Sequence, residues 1–139
     1  MPSVASGFVH VLSSRILVRP VDLDRALAFY GDTLGLAVSR EFGAGSQRGV
    51  VFFLGGGFLE VSGRATDTAR SAVELWLQVD DVDAVRAELE VAGVEILRPP
   101  VVEPWGLREM WIADPDGLRI VVVEVPPDHP LRRRPAVAS

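Results

Sequence analysis

The feature that most limits how this chain can fold is that it repeats itself. The segment "RILVRPVDLDRALAFYGDTLGLAVSREF" opens with an extended apolar run and then changes period, with Leu23, Ala26, Leu27, Tyr30 and Leu34 recurring at helical spacing. Asp22 stands where an N-cap belongs and Gly35 where a helix ends. The segment "ELWLQVDDVDAVRAELEVAGVEILRPP" repeats the plan, with Leu75, Leu77 and Val79 alternating and Asp81 as cap. Val82, Val85, Leu89 and Ala92 then share one helical face, and Gly93 terminates it. Further strand candidates follow each helix: "LAVSREF", "VVFFLG" and "FLEVSG" around the turn "GGG", then "VEILRPP", "REMWIA" and "LRIVVVEV" around "DPDG". Each half is therefore a βαβββ module, in an α+β domain.

The registers of the halves agree. Arg15 lies seven residues before Asp22 and Glu74 seven before Asp81, while "GFLEV" aligns with "GLRIV", so that Glu60 corresponds to Val121. The modules span 14–62 and 73–125, joined by a small, polar linker at 63–72. Residues 1–13 read as an N-terminal arm and 126–139 as a loose tail rich in Pro and Arg.

Composition narrows the function classes. A chain of 139 residues buries about two-thirds of its unfolded surface, enough for one domain without disulfide or metal support. The absence of cysteine excludes disulfides, thiolate nucleophiles and sulfur-based zinc sites. No apolar run approaches the roughly 20 residues of a membrane span, and "MPSVASGFVH" lacks the pattern of a secretory signal, so a cytoplasmic protein with no membrane partner is expected. A net charge of −5 creates no field for phosphate backbones, and the one basic cluster, at 132–134, sits in the tail; nucleic acid is not an expected partner.

The stretches "DLDRALAFYGDTLGL", "DDVDAVRAELEVAGV" and "WGLREMWIADPDGLRI", in register across two modules, resemble the vicinal oxygen chelate superfamily of glyoxalase I, extradiol dioxygenases, fosfomycin resistance enzymes and bleomycin resistance proteins. The resemblance implies a curved, cup-shaped mixed sheet, usually in a homodimer. It also implies that chelating members place one metal ligand on the first and one on the last strand of each module. Here those positions carry Arg15, Glu60, Glu74 and Val121. A guanidinium is always charged and offers no lone pair, so Arg15 opposes a divalent ion. Arg15 is expected to replace the metal electrostatically by pairing with Glu60, Glu74 or both.

Strand alternation places Trp76 and Gln78 on the face of Glu74, Phe58 and Ser62 on that of Glu60, and Leu17 and Arg19 on that of Arg15. Arg119 and Val123 share the face of Val121, and Glu109 and Trp111 are set toward the cup, leaving Met110 and Ile112 for the core. Trp76, Trp111 and Phe58 either line a cup for a flat or partly apolar molecule or pack as ordinary core. Trp105, in "EPWGLRE", either rims a ligand cleft or plugs one end of the sheet, and Arg108 and Glu109 read as a solvated charge pair. His10 falls on the opposite face from Arg15 if the strand continues to it, and His129 lies in the tail; neither is assigned a metal. The "DPDG" acids read as turn chemistry, and no Ser-His-Asp set or phosphate cradle can be assembled.

The expected protein binds a small organic molecule without a metal or other cofactor, through Arg15, Glu60, Glu74, Trp76, Gln78, Phe58, Trp105 and Trp111. Two alternatives stay open. One is a metal-dependent lyase, isomerase or dioxygenase; the other is a metal-free isomerase-like enzyme with Glu60 or Glu74 as catalytic base.

Overall fold

Two aspartates set the two helices. Asp22 accepts from the Arg25 backbone N–H at 3.1 Å, and Asp81 from those of Asp83 and Ala84 at 3.0 and 3.1 Å, satisfying donors that a first helical turn leaves unpaired. The computed structural model describes residue 10 and residues 12–66 and 73–131. Most of the linker, the arm and the basic end of the tail lie outside these residues.

Helix α1, Leu23–Leu27, continues without a break as a π-helical segment, Ala28–Thr33, and α2 spans Val82–Val91. The wider π turn, closed by Leu34 N–H donating to Phe29 O at 2.8 Å, brings consecutive residues nearer to one face. Phe29 and Tyr30 are accordingly both buried, with ring centroids 5.2 Å apart. Gly35 and Gly93 end the helical segments at φ +70 and +82, where a side chain would be strained.

The first module contributes β1 (Ile16–Val18), β2 (Val38–Phe42), β3 (Gly49–Leu54) and β4 (Gly57–Ser62); the second contributes β5 (Leu75–Val79), β6 (Arg98–Val102), β7 (Arg108–Ala113) and β8 (Arg119–Glu124). They form two four-stranded mixed sheets of identical plan, β1-β4-β3-β2 and β5-β8-β7-β6, with a parallel first pair and antiparallel neighbours. The class is α+β, and the modular repeat is reproduced strand for strand. Leu17 stands opposite Glu60 and Trp76 opposite Val121, which bears out the internal register.

Two details differ from expectation. The strand expected over "VEILRPP" begins at Arg98, because Val94 and Ile96 pack against the core from a connecting loop. Its prolines, Pro99 and Pro100, lack backbone donors and are tolerated because β6 is an edge strand with a register shift between Arg98 and Val101. Ala92 is exposed, since it lies one residue past the last turn of α2, as its C-cap.

One hydrophobic cluster joins both modules. From the first come Leu27, Tyr30, Phe52 and Leu59; from the second come Val82, Met110, Ile112 and Ile120. Burying each such side chain contributes about 1.5–3 kcal/mol, so neither module keeps its apolar face when separated from the other. Polar ties reinforce the junction. The Tyr30 hydroxyl donates to Asp114 Oδ2 at 2.8 Å, and Asp116 Oδ2 accepts from the Val21 N–H at 2.9 Å. The "DPDG" turn is thus also a bridge between modules, a role that turn chemistry alone does not reveal.

Candidate functional site

The helices cover one face of each sheet, and the opposite face carries the residues singled out by alternation. On the first sheet, Leu59 and Val61 point into the core, leaving Phe58, Glu60 and Ser62 on the outer face, level with Phe53, Val51 and Gly49 of β3. Arg15 Nη1 donates to Glu60 Oε1 at 3.0 Å. Arg19 Nη1 lies 3.5 Å from Glu60 Oε2 and donates to Ser62 Oγ at 2.5 Å; Ser62 Oγ in turn donates to Glu60 Oε2 at 2.6 Å. Gly63, at φ +69, leaves room for this arrangement, since a Cβ there would stand 3.1 Å from Arg19 Cδ. The Ser62 hydrogen bond, opposed by burial but joined by Arg15 and Arg19, holds the Glu60 carboxyl below its usual range.

On the second sheet the charge order is reversed. Glu74 comes from the first strand's approach, and its Oε1 accepts from Arg119 Nη1 at 3.2 Å. The Arg119 guanidinium also lies 4.5 Å from the Trp111 ring centroid, and that of Arg98 lies 3.9 Å from the same ring. Arg98 is held by Glu103 and by the Glu109 carbonyl, at 3.1 Å for the latter. Trp105 Nε1 donates to Glu109 Oε2 at 2.7 Å. Beneath these groups Leu107, Val121, Val123 and Val125 form a second apolar cluster, against which Trp111 packs.

Trp105 is 58% exposed and therefore does not plug the sheet, while Glu109, expected as half of a solvated pair, is buried. Arg108 turns instead to Asp83 on α2. Trp76 is 50% exposed. With Gln78 it borders a cleft of about 1180 Å³ running along edge strand β5, walled by Leu34, Leu36, Leu54 and Val85. His10 is exposed and lies outside β1.

The structure therefore brings Arg15 and Phe58 together with Glu60 on one sheet, and Glu74, Trp105 and Trp111 together on the other. Of the two partners open to Arg15 it takes Glu60; Glu74 has its own arginine. Arg19, Arg98, Arg119 and Glu103 are site residues to which sequence reasoning gave no role. For Arg19 and Arg119 a signal existed, since alternation places Arg19, four residues after Arg15, and Arg119, two residues before Val121, on the same face as those chelate positions. The four chelate positions do not compose an ordinary divalent-ion site: one is a guanidinium, one is a buried valine, and both carboxylates are already bound to arginine. Among the described residues, no group of three His, Cys, Asp or Glu side chains converges as a metal site.

A protein of paired βαβββ modules whose outer sheet faces carry these positions is of the glyoxalase-like class. The chain belongs to the Glyoxalase/Bleomycin resistance protein/Dioxygenase superfamily, whose sequence profile matches residues 7–122. It is similar to a superfamily member from Sphaerobacter thermophilus DSM 20745, at 28% identity and a TM-score of 0.63 over 84% of this chain and 98% of the other. It is also similar to TnmS3, an antibiotic binding protein from Streptomyces sp. CB03234, at 25% identity and a TM-score of 0.69 over 85% and 98%. A lactoylglutathione lyase from Agrobacterium tumefaciens shares the fold at 22% identity and a TM-score of 0.62, over 85% and 96%. No functionally curated protein matches the chain. Among the described residues, no helix is long and apolar enough to cross a membrane.

Proposed function

We propose that the protein binds a small, partly aromatic or apolar organic molecule against its outer sheet faces, without a metal ion and without turning it over. One observation carries this reading: each carboxylate at a chelate position is neutralised by an arginine, beside aromatic side chains that remain open to solvent. A carboxylate held in its charged form by Ser62 and two arginines is a weak base, which favours binding over proton abstraction at Glu60. The likeness to an antibiotic binding protein supports the same reading. In this proposal the outer faces form a cup in a homodimer, as the superfamily resemblance implies. Aromatic burial then supplies most of the affinity and the ion-paired groups supply orientation.

The chain's three tryptophans, Trp76, Trp105 and Trp111, all lie on the second module, so intrinsic fluorescence reports on that sheet directly. Titration with a panel of planar aromatic compounds is expected to give saturable quenching, which Trp76→Ala weakens about tenfold. A parallel experiment measures retention of zinc, nickel, manganese and iron(II) after desalting. Near-stoichiometric retention that disappears in a Glu60→Gln, Glu74→Gln double variant would overturn the metal-free reading and point to a lyase, isomerase or dioxygenase.

A further inference from the structure

The two outer faces differ in charge balance, and the difference selects among ligands. Among the described residues, three arginines of the first sheet, Arg15, Arg19 and Arg40, share the face with a single carboxylate, Glu60. On the second, Arg98 and Arg119 are outnumbered by Glu74, Glu103 and Glu109. The cationic surplus of the first face is concentrated where Arg15 and Arg19 converge on Glu60. Each guanidinium has five N–H donors. The contacts to Glu60 and Ser62 pass through Nη1 in both residues, so most of each fork is not taken up by them. Arg15 and Arg19 side chains are 42% and 49% exposed. They are nonetheless anchored, because Glu60 and Ser62 are largely buried and hydrogen-bonded to each other. Anchored, half-exposed guanidinium groups suit an anion, since little side-chain entropy is lost on binding. Apolar surface adjoins them: Leu17 is 49% exposed between the two arginines, and Phe53 and Phe58 pair across β3 and β4 with ring centroids 5.7 Å apart.

Resting on the binding function proposed above, we infer that the ligand is an organic anion, a carboxylate, sulfonate or phosphonate with an apolar or aromatic body. Its acid group is received by Arg15 and Arg19, and its body lies over Leu17, Phe53 and Phe58. Arg15 and Arg19 are then specificity determinants, and Glu60 and Ser62 are positioning residues that hold them.

A matched pair of fluorescent probes tests this: 8-anilinonaphthalene-1-sulfonate, and N-phenyl-1-naphthylamine, which has the same rings without the sulfonate. The full chain is expected to bind the anion about tenfold more tightly than the neutral probe, with only the anion's affinity falling as sodium chloride rises. An Arg15→Gln, Arg19→Gln double variant should lose about tenfold toward the anion and nothing toward the neutral probe, while Arg15→Lys, Arg19→Lys recovers part of the loss. Equal affinity for the two probes, or an anion preference that survives the glutamine variant, overturns the anionic class and leaves small-molecule binding standing. If neither probe binds in a manner that Phe58→Ala or Trp76→Ala alters, the binding function falls and the inference falls with it. The salt dependence on the unmodified chain decides the charge preference even where a variant does not fold.

Discussion

The Tyr30 hydroxyl donates to Asp114 Oδ2 at 2.8 Å inside the core, joining the helix of the first module to the "DPDG" turn of the second. Asp114 Oδ1 also accepts the N–H groups of Asp116 and Leu118, each at 2.9 Å, so the buried carboxylate is satisfied by three donors from two modules. Burial and the neighbouring Asp114 both raise the Tyr30 pKa far above that of a free phenol, so the hydroxyl remains a donor at every working pH. Tyr30→Phe keeps the ring and removes one donor. It should lower stability by about 1–3 kcal/mol in urea titration, because a buried acceptor is left short of a partner. A loss within the error of the measurement would show that the bridge is not a stabilising contact.

Glu60 sets a pH dependence whose sign follows from its surroundings. Its folded pKa lies below its unfolded value, so its carboxylate stabilises the fold above the ordinary carboxylate range, and that contribution is lost as pH falls through the lowered folded pKa. The melting temperatures of the natural protein and a Glu60→Gln variant should differ most near neutrality and converge on acidification. Calorimetry from pH 7 downward measures this directly, and a gap that persists unchanged into strong acid would contradict it.

Trp105 offers a test of the loop before β7. Its indole N–H is a donor to the buried Glu109 carboxylate, although the ring itself is half out of the fold. Trp105→Phe should therefore destabilise by about 1–3 kcal/mol, more than the loss of an exposed ring explains. Trp105→Phe combined with Glu109→Leu should cost less than the sum of the single changes, since the second change removes the stranded acceptor. Denaturant midpoints for the four proteins in this cycle give the answer.

Much of the architecture was legible in the chain because it depends on local rules. Helical spacing after Asp22 and Asp81, period-two alternation in β4, β5 and β8, and the register shared by Arg15 with Glu74 all depend on residues close in sequence. Alternation also assigned correct faces to Trp76, Glu109 and Trp111. It could not choose between partners. Arg15 could reach either of two carboxylates on the strength of charge, and Glu109 could be solvated or buried, because such outcomes depend on which strands pair and what lies above them.

The sequence by itself determined the two βαβββ modules, their caps, the inward and outward faces of their strands, and the departure from a chelating ligand set at Arg15 and Val121. Only the tertiary structure decided that Glu60 is held by Arg15, Arg19 and Ser62, that Glu74 answers to Arg119, that Trp111 lies under two guanidiniums, and that Asp114 and Asp116 bind the modules together. These contacts join residues distant in the chain. A side chain's own pattern specifies the face it takes, whereas its partner is specified by strand order and by the packing of one module on the other.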